Sequence, residues 1–185
     1  MSVKNLIESV RQRIVYAKMV INESDNLWSC EQTLYALSHD KGSALPGSAT
    51  DSFINNHYQF GVANDMSIDE LSDFVAAKVG HALKKSKKAM AITFCHGSIT
   101  DKGMIAFLKG LEATQAPIKA LHFIDLQDVS DKSLSVLPEI IEKKGITLCE
   151  IWACGVSQDL EKRINLACKK NQNIKMSNNK SLMYK

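Results

Sequence analysis

A repeat constrains this chain more than any other feature in it. Ala89, Ile118, Ile146 and Ile174 stand 29, 28 and 28 residues apart, and each opens a strand-like run. In the third run, ITLCEIWACGV, apolar residues fall at positions 1, 4, 6, 9 and 11, as Ile146, Cys149, Ile151, Cys154 and Val156. The first run places Ala89, Ile92, Phe94, Gly97 and Ile99 there; the second places Ile118, Leu121 and Phe123, then slips by one residue to reach Leu126 and Val129. Similar turns follow (Ile99-Thr-Asp-Lys-Gly, Val129-Ser-Asp-Lys-Ser, Val156-Ser-Gln-Asp), and each leads into an amphipathic pattern. The inward stripes of the expected helices are Met104, Phe107, Leu108 and Leu111, then Leu134, Leu137, Ile140 and Ile141, then Leu160, Ile164 and Ala167. Thr100, Ser130 and Ser157 are natural N-caps, and Asp101, Asp131 and Asp159 put negative charge into the first turns. Pro138 shortens or kinks the second helix unless that helix starts there. One strand and one helix cannot bury their own apolar side, so units of this size must stack on one another.

The apolar spacing and the 28- or 29-residue period resemble leucine-rich repeats, whose units read L-x-x-L-x-L-x-x-N/C-x-L. Room for a full helix, with Cys154 in the asparagine/cysteine slot, is most similar to the ribonuclease-inhibitor subtype. The likeness covers about half the chain clearly and about two-thirds with its degenerate flanks. Ile, Phe or Ala often replaces Leu, Gly97 takes one slot, and the second unit carries an extra residue. The resemblance implies an α/β solenoid with parallel strands on a concave face and helices on the convex one. It also implies a protein-protein interaction module rather than an enzyme. Short isolated arrays of this kind include bacterial effectors delivered into eukaryotic cells, which would make the partner a host protein, and scaffolding subunits of eukaryotic complexes.

The chain reads as one structural domain, with residues 1–56 as an N-terminal cap and degenerate first unit and 57–185 as the array with its C-terminal cap. Leu6, Ile7, Val10, Ile14, Ala17 and Ile21 predict a helix over 2–22, placed to cover the open end of the stack. Trp28, Leu34, Tyr35 and Leu37 suggest a short buried segment, read as a degenerate strand, before the loop KGSALPGSATD. A strand around Tyr58, Phe60 and Val62 and a helix from Ser67 through Val79, opened by the capping box Ser67–Glu70, make a poorly matched first unit. Ile174 to Ser177 forms a last half-unit, and Asn178 to Lys185 either fray or close the stack.

With 23 basic and 20 acidic side chains the formal charge is only +3, which makes no case for a nucleic-acid partner. Lys84-Lys85-Ser86-Lys87-Lys88, Lys143-Lys144 and Lys169-Lys170 each fall where a helix is expected to end, where lysines complement the dipole. Five cysteines in no disulfide-scaffold spacing point to a reducing, cytoplasmic setting. No membrane span and no cleavable signal are visible; export into a host cell without such a signal is compatible with both.

Between the buried positions, side chains face out of the sheet and form rows across the strands. Position 5 contributes Thr93, His122 and Glu150, position 7 Cys95, Ile124 and Trp152, and position 8 His96, Asp125 and Ala153. The partner-binding candidates are therefore Trp152, His122, Glu150, Ile124, Cys95, Thr93, His96 and Asp125, with Trp152 foremost because tryptophan brings large area at small entropic cost. The same residues hold a second reading, a cysteine-dependent enzyme with Cys95 as nucleophile, His122 as base and Glu150 as its orienting carboxylate. An open sheet face offers such a thiol no helix dipole and no oxyanion hole. No cofactor fingerprint is present, and Cys95, His96 and His122 lack metal-ligand pair spacing.

Overall fold

The computed structural model describes residues 30–41, 56–61 and 71–183, with side chains as far as 177. It is an α/β fold built on one four-stranded parallel sheet: β1 (His57–Gly61), β2 (Ala91–Cys95), β3 (Ala120–Ile124) and β4 (Leu148–Trp152) lie side by side in chain order. The helices are α1 (Cys30–Ser38), α2 (Asp73–Leu83), α3 (Asp101–Ala113), the single turn α4 (Asp131–Leu134), α5 (Leu137–Lys144) and α6 (Gln158–Met183).

Register follows the repeat residue for residue. Ile92 lies beside Leu121 and Leu121 beside Cys149; Phe94 lies beside Phe123 and Phe123 beside Ile151. These positions 4 and 6 join the helix stripes in one core. Its centre is aromatic: Phe94 stacks on Phe123 at 6.2 Å between ring centroids, and Phe107 of α3 meets Phe94 edge-on at 4.9 Å. Edge-to-face aromatic pairs add about 0.5–1.5 kcal/mol beyond the area they bury. The extra residue of the second unit leaves the strands undisturbed. Leu126 keeps position 9 and is fully buried, and the surplus sits in the turn at Gln127 and Asp128.

The cap sites show a repeating device. Thr100 and Ser130 accept the backbone N–H of Lys102 and Lys132, as N-caps do. Each cap is also tied to the preceding unit. Asp73 accepts from Thr100 N at 2.7 Å and from its hydroxyl at 2.9 Å; Asp101 accepts from Ser130 N, Ser130 Oγ and Ser133 Oγ at 2.9, 2.7 and 2.6 Å. Asp131 accepts from Ser157 N and Oγ at 2.7 and 2.6 Å. The first-turn aspartates thus staple one repeat to the next besides facing a helix dipole. Burial raises the Asp101 carboxyl, but the hydrogen bonds from Ser133 and Ser130, with Lys132 nearby, outweigh that and hold it low. Glycine allows the helices to meet closely: a Cβ on Gly110 would strike the backbone of Gly80, so α2 and α3 cross backbone against backbone.

Several expectations are corrected. Cys30–Ser38 is helical, with Gln32, Thr33, Ala36 and Leu37 buried at helical spacing, where a degenerate strand was expected. The helix expected from Ser67 begins at Asp73, with Ser72 in the N-cap position; Ser67–Glu70 lies outside the described residues, as does the helix expected over 2–22. Pro138 resolves the second helix by division: a turn, Asp131–Leu134, precedes a helix carrying proline in its first positions, where a missing N–H is harmless. Ile174 opens no half-unit. It lies inside α6, 52% exposed, because no Gly or Pro interrupts Gln158–Met183 and nothing after Ile174 supplies a second inward pair. Lys169-Lys170 is consequently mid-helix, where Lys170 pairs with Glu142 at 2.7 Å.

Candidate functional site

The face of the sheet turned away from the core carries positions 3, 5 and 7. Strand pairing sets Thr93 beside His122 and His122 beside Glu150; Cys95 lies beside Ile124 and Ile124 beside Trp152. Both rows therefore form as expected, but they do not form one uniform surface. Thr93 is only 5% exposed and shares a 2.7 Å hydrogen bond with His57 Nε2, so it is out of reach of a partner, contrary to its place among the contact candidates. The His122 side chain is 17% exposed, and the His57 ring lies 5.9 Å from it. Glu150, by contrast, is 60% exposed and receives His122 Nδ1 at 2.9 Å. The open end is occupied by Trp152, 67% exposed, with Ile124 half-buried beside it.

Position 8 ends β2, β3 and β4 the same way. His96, Asp125 and Ala153 all have positive φ, at 56°, 52° and 53°. Their amides at His96 and Asp125 still pair across the sheet, to Ile124 O and Trp152 O at 2.9 and 2.8 Å. His and Asp tolerate this region better than most residues; Ala does not. The left-handed turn brings His96 Nδ1 to 2.8 Å from Asp125 Oδ2. That bond, with a second from Gln127, lowers the Asp125 carboxyl below its ordinary value. Gly97, Gly103 and Gly155 do not carry the positive φ of these turns; they serve close approach, and a Cβ on Gly97 would sit 2.7 Å from Leu71.

The same geometry bears on a thiol nucleophile. Two imidazole–carboxylate pairs are present, yet among the described residues no hydrogen bond joins the Cys95 sulfur to either ring. Burial, and then the Asp125 charge, push the Cys95 thiol up, the opposite of what a thiolate nucleophile requires. Among the described residues no three His, Cys, Asp or Glu side chains come together to hold a metal, and no helix is long and apolar enough to cross a membrane.

Beyond the rows lies a feature the repeat pattern does not announce. The outer edge of β4 and the first turns of α6 enclose a cleft of about 480 Å³, lined by Ile124, Glu150, Ile151, Trp152, Glu161 and Ile164 among others. Glu161 falls between the inward positions Leu160 and Ile164 on the helix, so its spacing reads as an ordinary solvated residue. Among the described residues no strand follows β4, and the space beside Glu161 stays open. A comparison with protein-family models and with curated proteins returns no match for this chain.

Proposed function

We propose that this chain is a short leucine-rich-repeat array of the ribonuclease-inhibitor kind whose function is to bind another protein through the open end of its sheet face. The observation that carries the reading is Trp152, a large aromatic side chain left 67% exposed at the end of an ordered row, with Ile124 and Glu150 as its neighbours. Interface hot spots are built this way, as an aromatic anchor beside apolar and charged groups held on rigid strands. The 28- and 29-residue units, stacked in chain order and in register, support the array. The binding surface is then Trp152, Ile124, Glu150 and His122, with Cys95, His96 and Asp125 along its rim. Likeness to effector arrays makes a eukaryotic host protein, met in the reducing cytoplasm, the first class of partner to test.

The test is affinity capture with the folded chain and two variants. Trp152→Ala and His122→Glu should each lower recovery of the captured partner at least tenfold, since a hot-spot truncation costs about 2 kcal/mol or more. Recovery that survives both changes would place the binding surface elsewhere.

A further inference from the structure

Resting on that reading, the geometry points to a particular partner chemistry: an extended segment with the pattern apolar–x–Arg or Lys–x–apolar, laid along the free edge of β4, its basic side chain entering the cleft between Trp152 and Glu161. Among the described residues β4 is the terminal strand of the sheet and pairs with β3 alone; its start is covered by α6, where Gln172 Nε2 donates to Thr147 O at 2.7 Å and Cys149 is 6% exposed, and its edge is open from Glu150 to Trp152. A peptide added there gains main-chain hydrogen bonds, while pockets for alternate side chains supply the specificity.

Three observations choose the occupant. Leu148, Glu150 and Trp152 alternate with the core-facing residues of β4 and are 39%, 60% and 67% exposed, so an added strand meets them with residues spaced by two. The middle of these partners lies beside a carboxylate and the outer two beside apolar side chains. The cleft at this edge is lined by the aliphatic Ile124, Ile151 and Ile164, by Trp152, and by the carboxylates Glu150 and Glu161, with no basic side chain among its described lining residues. An aromatic ring with carboxylates and aliphatic side chains around it suits a cation carried on an apolar stem. A second copy of this chain fits poorly. Antiparallel β4–β4 pairing about its centre puts Glu150 against Glu150, and a two-residue shift puts Glu150 against Leu148 or Trp152; like charges directly opposite are destabilising.

The experiment uses the full chain, isotopically labelled with nitrogen-15, titrated with acetylated and amidated Thr-Val-Thr-Arg-Thr-Val-Thr. Its counterpart with Glu in place of Arg serves as the control. The expected result is a shift of the Trp152 indole N–H and of the amides from Leu148 to Trp152, with the Arg peptide binding at least tenfold tighter than the Glu peptide. Glu161→Gln should weaken the Arg peptide about threefold to tenfold, and Glu161→Lys should reverse the preference. Equal binding of both peptides, shifts confined to other parts of the molecule, or no shift up to millimolar peptide would overturn the inference. So would a concentration-dependent dimer in sedimentation that Glu150→Lys dissolves, which would assign the edge to a second copy. Glu161 lies on α6, outside the sheet rows, so the outcomes separate. Partner capture lost in Trp152→Ala but indifferent to Glu161→Lys leaves the sheet-face reading standing and removes the edge cleft, whereas capture indifferent to Trp152→Ala removes the broader reading itself.

Discussion

The two ends of the sheet are built from the same template and have opposite fates. On the β1–β2 side most positions are enclosed: Tyr58, Phe60, Ile92 and Phe94 are fully buried against the helices, and on the opposite face His57, Ala91 and Thr93 are 6%, 0% and 5% exposed, with Gln59 and Cys95 half-buried. On β4 the equivalent positions carry Leu148 at 39%, Glu150 at 60% and Trp152 at 67%, and even core-facing Ile151 is only half-buried. Composition alone does not explain this, because Leu and Trp are at least as apolar as the Ala and Cys they align with. Position in the sheet is what differs: β2 and β3 have a strand on both sides, whereas among the described residues β4 pairs with β3 alone and the chain then turns into α6. An uncovered terminal strand is an aggregation hazard unless it is blunted or used. Here a charge, Glu150, stands at its centre.

The largest expected effect separates the ends by stability. Phe94→Ala removes the ring that touches Phe60, Phe107 and Phe123, and should cost about 3–5 kcal/mol in urea unfolding. Ile151→Ala, at the matching position of the open strand, should cost less than half as much. Equal costs would mean that the β4 end is as well packed as the middle, and the contrast would fail.

A smaller effect runs along the staples between units. Asp101 carries three hydrogen bonds from the next unit, whereas among the described residues no following cap donates to Asp159. Asp101→Asn should lower stability at neutral pH by about 1–2 kcal/mol, and Asp159→Asn by less than about 0.5. The pH dependence has a definite sign. Because folding lowers the Asp101 carboxyl, its contribution is complete above the ordinary value of 3.8 and disappears as pH falls through the folded value. The Asn variant lacks that carboxylate, so its stability should decline less steeply than the parent's between about pH 5 and pH 2. Parallel acid limbs would sink the staple.

The smallest effect concerns Cys95, at the boundary between the sealed and open halves. With its thiol raised by burial and by Asp125, alkylation by iodoacetamide near pH 7.5 should be slower than that of a free thiol such as glutathione. Asp125→Asn should speed it modestly. Rapid modification below neutral pH would instead revive the cysteine-enzyme reading with His122 and Glu150.

Much of this architecture is legible in the chain itself. Period and apolar spacing suffice to align Ile92, Leu121 and Cys149, and Phe94, Phe123 and Ile151, because side chains alternate on a strand and each stripe must bury against its own helix. The rows on the opposite face follow from the same alternation. Boundaries are less legible. The helix at Cys30–Ser38 was hidden because its buried face includes Gln32 and Thr33, polar types that a hydrophobic pattern passes over. The false fourth copy at Ile174 arose because one Ile at the correct interval imitates a repeat when no stop signal ends the preceding helix. The link from each first-turn aspartate to the next unit's cap was half visible: the Thr-Asp and Ser-Asp turns recur, but the acceptor and its donors lie 26 to 32 residues apart.

By itself, then, the sequence determined the unit, the order of the strands and which residues share a face, since these depend on local periodicity and on the burial that each unit demands of its neighbours. Only the tertiary structure decided how exposed each member of a row is, that Thr93 is sealed while Trp152 is bare, and that Glu161 borders a cleft with Trp152 and Glu150. Exposure depends on what stands beside a strand in space, and no local pattern records where a stack of equivalent units stops.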